Sequence, residues 1–158
     1  MAALDRTVVT NSEAPKPLGA YSLGMSVSPG KLVYVAAQVG VDSDGNLVGK
    51  GDAAAQTRQA LQNIGLVLEG AGADFSNVVE CTTYVVGRSS VQGYIDGRGE
   101  VYPHMYPDVD FPPSTLLVVA DLVSEDYLVE IKAVAALPYA IRKGTAPEAH
   151  IGRPRTIG

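Results

Sequence analysis

The sequence predicts one α+β domain in which two helices cover one face of a mixed β-sheet. Strand-like and helix-like segments follow one another in the order strand pair, strand, helix, strand, helix, strand, strand. The 158 residues suffice for one domain with a large core, and a hydrophobic fraction of 46% is ordinary for a globular protein. We therefore expect a single domain at residues 1–136, with its core at about 17–136. An irregular tail at 137–158 is expected to be flexible or laid across a neighbouring surface.

Short strands and a bent loop are predicted in the first fifty residues. Runs of strand-forming residues occur at three places: Val8–Val9, Met25–Ser28 and Leu32–Val39. Pro29-Gly30 predicts a turn, and Asp44-Gly45 predicts a tight hairpin turn, whose two central residues both need a positive φ. The glycines that flank Tyr21 within residues 17–24 indicate a bent loop close to another group, or else a loop with one packed aromatic ring. Residues 1–17 are expected to form a mobile or edge segment.

The first helix is predicted to begin after Asp52, a suitable N-cap residue, and to run to about Glu69. Five apolar residues at helical spacing mark its buried face: Ala60, Leu61, Ile64, Val67 and Leu68. Arg58 and Gln59 are expected on the exposed side of this helix.

A central strand and a second helix follow. Val78–Val86 predicts a strand in which Cys81 is a small buried hydrophobe rather than a nucleophile, because neither histidine is close to it in sequence. The second helix is predicted within Ser90–Tyr102 and ends before Pro103. Its inward positions are expected to be Val91, Ile95, Val101 and Tyr102. The same segment contains three glycines: Gly93, Gly97 and Gly99. Each costs about 1 kcal/mol relative to alanine, which indicates close packing, a break in the helix or relaxed local demands.

The last two strands carry the most informative pattern. Ser114–Ala120 is short, apolar and β-rich, which suits a strand buried on both faces. Tyr127–Ala136 alternates, so that one face carries Tyr127, Val129, Ile131, Ala133 and Ala135, and the other carries Leu128, Glu130, Lys132 and Val134. Glu130 and Lys132 thus lie in the middle of an otherwise apolar strand. Two charges there form a solvated face, an interface pair or part of a site.

Composition disfavours several classes of function. The formal net charge of -5 gives no general electrostatic reason for binding nucleic acid or an anionic membrane, and no apolar run approaches the ~20 residues that span a bilayer. With no signal-peptide-like segment in residues 1–16 and one cysteine in the chain, the cytoplasm is the expected compartment. Two histidines and one cysteine argue against a zinc site, and the calcium-like acidic spacing at 42–46 fails because Leu47 stands at the required glycine. His104 is expected to be a surface or packing residue rather than a catalyst.

The assembled motifs resemble those of the YjgF/RidA family of reactive-intermediate deaminases. Six segments match in the family's order and approximate spacing: Gly19-Ala-Tyr-Ser22, Leu32-Val-Tyr-Val-Ala-Ala-Gln38, Gln56-Thr-Arg-Gln-Ala-Leu-Gln-Asn63, Val78–Tyr84, Ser114-Thr115 and Val129-Glu-Ile-Lys-Ala-Val134. They are spread over about 120 residues, from Pro17 to Ala136. No one segment is decisive, but together they are specific.

The resemblance implies a chorismate-mutase-like α+β fold and a homotrimer whose sheets pack into a central barrel. It also implies a cleft for a small molecule at each subunit interface. Members of the family hydrolyse imines or enamines such as 2-aminoacrylate and 2-iminopropanoate, giving a keto acid and ammonia, and they use no cofactor. In such a trimer, one face of the last strand would pack on the helices and the other would meet the partner subunits.

Carried onto this sequence, the family's site is partly retained. Glu130 matches the glutamate that positions the attacking water, and Tyr21 matches the tyrosine that lines the cleft. Ala37 stands where a backbone amide helps to hold the substrate. The family's carboxylate-binding arginine immediately precedes Ser114-Thr115, and in this sequence Pro113 replaces it, offering neither a charge nor an N–H.

Three interpretations of this site stay open. In the first, the protein hydrolyses a related C=N or C–N bond in a substrate that has no carboxylate or holds it differently, with Glu130 as general base and Tyr21 as a wall or donor. In the second, another cation replaces the arginine, and the candidates are Arg88, Arg98, Lys132, Arg142, Arg153 and Arg155. In the third, the protein is a non-catalytic trimer that binds a small metabolite or a protein partner, and Glu130 is an interface residue. Ser114 and Thr115 are also explained by hydrogen bonding at the start of a strand.

Overall fold

A computed structural model describes residues 4–28 and 30–139 of the chain. Two short strands, β1 (Arg6–Val8) and β2 (Met25–Val27), form a small antiparallel sheet. The main sheet and its helices comprise β3 (Lys31–Val39), α1 (Ala53–Gly70), β4 (Val78–Val86), α2 (Ser89–Met105), β5 (Ser114–Val119) and β6 (Val129–Leu137). The strand order is β3-β6-β4-β5, in which β4 is parallel to β5 and the other neighbours are antiparallel. The predicted α+β class with a mixed sheet is confirmed.

Both helices pack on one face of the main sheet and bury a single core. Its large buried side chains come from the helices and from alternate positions of the strands, among them Leu61, Ile64, Leu68, Tyr94, Val85 and Val129. In β6 the predicted alternation is confirmed, because the residues that face the helices are all buried: Val129, Ile131, Ala133 and Ala135. Glu130 and Lys132 lie on the opposite face. No helix in the described part of the chain has the length and apolar character needed to cross a membrane.

The N-terminal segment is tied to the main sheet through Arg6. The Arg6 guanidinium donates to the carbonyl oxygens of Val78 at 3.2 Å and Asp110 at 2.9 Å, and it forms an ion pair with the Asp110 carboxylate. β2 pairs with β1 and not with β3, so the two strands predicted on either side of the Pro29-Gly30 turn belong to different sheets. Pro29 itself lies outside the described residues.

The loop after β3 differs from the tight turn predicted at Asp44-Gly45. Val41 and Leu47 form an isolated antiparallel bridge, so the turn between them is wider than two residues. Of residues 41–47, only Gly45 has a positive φ, at 83°. The Asp42 carboxylate closes the loop instead, by accepting hydrogen bonds from two backbone N–H groups within it at 3.0 and 2.9 Å.

α1 begins and ends close to its predicted limits. The Asp52 carboxylate accepts hydrogen bonds from two backbone N–H groups of the first turn at 2.9 and 3.0 Å, so it caps the helix. Four of the five predicted inward residues are buried: Ala60, Leu61, Ile64 and Leu68. The fifth prediction is wrong, since Val67 is 42% exposed. Two polar residues, Gln56 and Thr57, are fully buried in the first turns, where apolar spacing gives no signal.

α2 extends beyond its predicted end and continues through Pro103. The proline lies in the last turn, which the N–H of Tyr106 closes by donating to the carbonyl oxygen of Tyr102 at 2.8 Å. The rings of Tyr102, Tyr106 and Phe111 pack together around this turn, with centroids 5.1–5.7 Å apart. This aromatic packing stabilises a turn that the proline alone would disfavour.

Two predictions of burial are wrong. Ile95 is 40% exposed, and the neighbouring Tyr94, at 2%, takes the inward position. Among the described residues, β5 is the edge strand of the main sheet and β4 is its one strand partner. Its three central residues are therefore 40–45% exposed instead of buried on both faces: Leu116, Leu117 and Val118. The predicted tail at 137–158 starts one residue too early, because Leu137 ends β6, and residues 140–158 lie outside the described part.

The glycines of α2 have different surroundings. A Cβ added to Gly93 would lie 2.9 Å from the Cβ of Ala53, and one added to Gly97 would lie 2.4 Å from the carbonyl oxygen of Ala54. At Gly99 such an atom would meet nothing within 4 Å. Of the three explanations that the sequence left open, close packing between the helices therefore holds at Gly93 and Gly97.

We expect Gly97→Ala to destabilise the fold and Gly99→Ala to stabilise it, although both replace a glycine of the same helix. Alanine improves helix propensity by about 1 kcal/mol at either position. At Gly97 the added methyl meets the backbone of α1, and overpacking of this kind costs about 1–3 kcal/mol. Urea unfolding of both variants measures the difference. A free energy of unfolding for Gly97→Ala equal to that of Gly99→Ala would contradict the close contact.

Candidate functional site

The loop that carries Tyr21 lies on the start of β5. Ser22 forms a parallel bridge with Pro113, and its N–H donates to the carbonyl oxygen of the preceding proline at 3.4 Å. The carbonyl oxygen of Pro113 accepts a hydrogen bond from the N–H of Cys81 in β4 at 3.0 Å. These contacts bring four residues together, which we name the edge cluster: Tyr21, Ser22, Pro113 and Ser114.

Local contacts hold the first two residues of the edge cluster. Tyr21 Oη accepts a hydrogen bond from the N–H of Leu18 at 3.1 Å, which folds the loop back on itself with the ring half-buried. Ser22 is 7% exposed, and its Oγ is the one buried side-chain polar atom without a hydrogen-bond partner within residues 4–28 and 30–139. An unpaired buried hydroxyl costs about 1–3 kcal/mol. A group from outside these residues would therefore stabilise this position.

Ser114, Thr115 and Ala37 each lie at a strand position with an accessible edge. Ser114 pairs with Cys81 and Thr115 with Thr82, so both begin β5 in regular register, one half-buried and the other exposed. Ala37 lies in β3 where the pairing with β6 shifts between residues 35 and 38. A bulge of this kind leaves backbone groups out of the ladder. Ala36 and Ala37 thus both lie outside the regular pairing of β3 with β6.

Glu130 lies on the face of the main sheet opposite the helices. We name this the open sheet face, formed by Tyr34, Glu80, Tyr84, Leu117, Glu130 and Lys132. The cross-strand neighbours of Glu130 are Val39 on β3 and Tyr84 on β4. Its carboxylate is half-buried and takes part in none of the ion pairs formed by the described residues. It is therefore available to accept hydrogen bonds from a water or a ligand.

The edge cluster and Glu130 lie apart within one chain. Two rows cross the sheet through β5, β4 and β6: one holds Ser114, Cys81 and Ala133, and the other holds Leu117, Tyr84 and Glu130. The rows are three residues apart along the strands, about 10 Å, and β5 and β6 are two strand spacings apart, also about 10 Å. Ser114 and Glu130 are therefore on the order of 14 Å apart. A molecule of a few heavy atoms cannot touch both within one chain, so we treat each as a candidate half-site.

Arg98 approaches the edge cluster from α2. Its Cζ lies 5.2 Å from the ring centroids of both Tyr94 and Tyr102, and its Nη1 donates to Tyr94 Oη at 3.4 Å. A Cβ on Gly19 would lie 3.9 Å from Arg98 Nη2 and 3.9 Å from Cε1 of Tyr21. The guanidinium therefore stands beside the loop that carries Tyr21.

The other cations considered from the sequence lie elsewhere. Arg88 is exposed at the start of α2, and Lys132 lies on the open sheet face two residues from Glu130. The remaining three fall outside the described residues: Arg142, Arg153 and Arg155. No motif in the sequence favours Arg98 over the other candidates. The signal that distinguishes it is the spacing of four between Tyr94, Arg98 and Tyr102, which places all three on one side of a helix.

The side chains of Cys81 and His104 belong neither to the edge cluster nor to the open sheet face. Cys81 is 5% exposed, and burial raises the pKa of its thiol to about 12, against a smaller lowering by the charge of Arg98. The thiol is therefore protonated at neutral pH, and the prediction of a buried hydrophobe is confirmed. His104 is exposed, which is one of the two expected placements. Within residues 4–28 and 30–139, no three His, Cys, Asp or Glu side chains are grouped so that they could hold a metal ion.

Comparisons with known proteins agree with the motifs. The sequence model of the family described as Endoribonuclease L-PSP matches residues 11–137. The human 2-iminobutanoate/2-iminopropanoate deaminase is 34% identical over 136 residues, covering 85% of this chain and 93% of that protein. A RutC family protein of Pyrococcus horikoshii is 31% identical over 130 residues, covering 82% of this chain and 97% of that protein.

Solved structures give the same relationship. The Rid family protein YyfB of Yersinia pestis has a TM-score of 0.74 at 32% identity, and the match covers 84% of this chain and 98% of that chain. A YjgF family member from Mycobacterium tuberculosis, also 32% identical, has a TM-score of 0.55 over 84% of this chain and 99% of that chain. The chain therefore belongs to the YjgF/Rid family, which the Endoribonuclease L-PSP sequence model describes.

Proposed function

We propose that this protein hydrolyses the C=N bond of a small imine or enamine, without a cofactor, at a cleft between two copies of the chain. The observation that carries the proposal is Glu130, a half-buried carboxylate on the open sheet face that forms no ion pair among the described residues. The human relative named 2-iminobutanoate/2-iminopropanoate deaminase, 34% identical, supports this class of substrate. A net charge of -5 does not favour the binding of a negatively charged RNA substrate.

An unpaired carboxylate can activate water for attack on an imine. Glu130 accepts a proton from water as the water oxygen adds to the carbon of the C=N bond, and it then gives this proton to the nitrogen. The hydroxyl proton of the adduct passes to the departing nitrogen. The C–N bond then breaks, so ammonia leaves and a carbonyl product remains, with one water consumed. Tyr21 forms a wall of the cleft together with Ser114 and Thr115 at the start of β5. The backbone amide at Ala37 holds the substrate.

A second copy of the chain completes the site in this proposal. The edge cluster and Glu130 are too far apart within one chain to share a small substrate, so they meet only across an interface. The open sheet face supplies apolar surface for such an interface: Tyr34 is 75% exposed and Leu117 is 40% exposed. We propose a homotrimer in which three open sheet faces form a central barrel. We place this trimer in the cytoplasm, because the single cysteine of the chain is a buried free thiol.

Glu130→Gln is expected to lower hydrolysis of enzymatically generated 2-iminopropanoate by about 100-fold or more, because the amide cannot accept the proton from water. Ammonia release above the spontaneous rate is the measurement. Glu80→Gln is the matched control, since Glu80 lies on the same face and its carboxylate is bonded to Thr82 Oγ1 at 2.8 Å. Turnover that persists in Glu130→Gln, or falls equally in Glu80→Gln, would refute the role given to Glu130.

Tyr34→Asp is expected to dissociate the proposed trimer, because it places a charge at the most exposed aromatic ring of the open sheet face. Sedimentation velocity distinguishes one 16.5 kDa chain from an assembly of three. Leu66→Asp is the control, since Leu66 is 59% exposed on the outside of α1. A wild-type monomer, or a Tyr34→Asp variant that sediments like Leu66→Asp, would contradict the assembly.

A non-catalytic trimer that binds a metabolite or a protein is the second candidate function. Pro113 favours it, because the edge cluster has no charge of its own at that position. A panel of imines with and without a carboxylate separates the two candidates. Turnover of any of them by the wild-type protein excludes the binding module, and silence across the panel supports it.

A further inference from the structure

Pro113 leaves the edge cluster without the charge that a carboxylate ligand needs. It offers neither a cation nor an N–H, and its carbonyl oxygen already accepts a bond from the N–H of Cys81. A planar guanidinium is the side chain best suited to hold both carboxylate oxygens at once. A ligand of that kind must therefore be held by a cation from another element of the fold.

Arg98 is anchored to the same short segment that carries Pro113. Its guanidinium lies between the rings of Tyr94 and Tyr102, 5.2 Å from each centroid, and these cation–π contacts fix its position. Tyr102 stacks on Phe111, with centroids 5.6 Å apart and ring planes 24° from parallel. Phe111 stands two residues before Pro113, at the entrance to β5.

The guanidinium keeps donors for a ligand. Arginine carries five N–H donors, and the one hydrogen bond that Arg98 makes within the described residues is the 3.4 Å contact with Tyr94 Oη. Arg98 is half-buried, yet the ion pairs of the described residues involve other cations: Arg6–Asp110, Lys50–Asp126 and Arg58–Glu100. A partly buried cation without a counter-ion is unfavourable, and aromatic faces offset this only in part. An incoming carboxylate would supply the counter-ion.

Space for that carboxylate lies beside Gly19. The point where a Gly19 side chain would begin is 3.9 Å from Arg98 Nη2 and 3.9 Å from the Tyr21 ring. Gly19 is exposed, so this opening faces solvent. The glycine thus leaves room for one carbon atom in ordinary contact with both the guanidinium and the tyrosine of the proposed cleft.

We propose that Arg98 binds the carboxylate of the substrate in place of a cation at position 113. The inference rests on the proposed function and extends it. Tyr21 and Arg98 of one chain hold the anion, and Glu130 of the partner subunit directs the water. Lys132 does not take this role, because it lies with Glu130 in the other half-site.

Binding of a stable carboxylate tests the assignment without requiring turnover. Calorimetry on the full-length protein compares 2-oxobutanoate with its neutral isostere 2-oxobutanamide. Wild type is expected to bind the acid about 10-fold or more tightly than the amide, as a charge-assisted contact allows. Arg98→Met removes this preference, and Arg98→Lys keeps part of it. Arg58→Met is the matched control, since it removes a cation paired with Glu100 and leaves the preference intact.

Two results of this experiment overturn the proposal. One is wild-type protein that binds the acid no better than the amide, or binds neither. The other is a preference for the acid that survives in Arg98→Met.

A second pair of variants leaves Arg98 and its aromatic packing in place. Gly19→Asp puts a carboxylate of the chain itself beside Nη2, whereas Gly19→Asn adds a side chain of the same size without the charge. We expect the aspartate to weaken binding of 2-oxobutanoate about 10-fold more than the asparagine does, because it competes for the guanidinium. Equal weakening by the two variants overturns the assignment.

Turnover separates this inference from the hydrolase proposal. Wild type that prefers the acid through Arg98 but releases no ammonia from 2-iminobutanoate contradicts the hydrolase and supports the role of Arg98. The converse result is hydrolysis of 2-iminobutanoate whose KM and kcat are the same in Arg98→Met as in wild type. That result overturns the role of Arg98 and leaves the hydrolase standing.

Discussion

The side-chain amide of Gln56 connects the elements that position Glu130. This side chain is fully buried. Its Nε2 donates hydrogen bonds to the carbonyl oxygens of Gly49 at 3.1 Å and Asp126 at 3.0 Å. Its Oε1 accepts a hydrogen bond from the N–H of Leu128 at 2.8 Å. A buried amide whose bonds are satisfied specifies one arrangement, since loss of any partner leaves a polar group unpaired. Leu128 precedes Glu130 by two residues. The direction of the carboxylate at the start of β6 therefore depends on a residue of α1.

A separate constraint, the close contact between the two helices, positions Arg98. Gly93 and Gly97 allow the backbone of α2 to approach the first turn of α1 more closely than any larger residue would. At that separation Tyr94 and Tyr102 are buried under the sheet, and Arg98, midway between them on the same side of the helix, is carried to the edge cluster. The two halves of the proposed site thus depend on different packing features, one polar and one steric.

The local sequence pattern predicted an element correctly where the contacts that determine it lie within that element. The Asp52 cap and the alternation in β6 follow from contacts within one turn or one strand, and both were predicted. The exposure of β5 was not predicted, because an apolar strand has the same sequence pattern whether it lies inside a sheet or at its edge. A proline ends most helices, and here the packing of Tyr102 against Phe111, which lies beyond the end of the helix, holds the last turn. Gln56 gave no signal, because a buried glutamine and an exposed one are identical in a sequence.

The candidate site follows the same division. Glu130 and Tyr21 were predicted from motifs that resemble those of the family. The role proposed for Glu130 depends on the backbone, since a rigid strand fixes the direction from which its carboxylate meets a water. A carboxylate imposes a weaker constraint on the backbone. It needs a guanidinium at one point in space, and a long arginine side chain can bring its charge to that point from a strand or from a helix. At the backbone position of Pro113 the chain has no cation. The guanidinium of Arg98 nevertheless lies beside the same edge of the sheet, because its long side chain reaches there from α2.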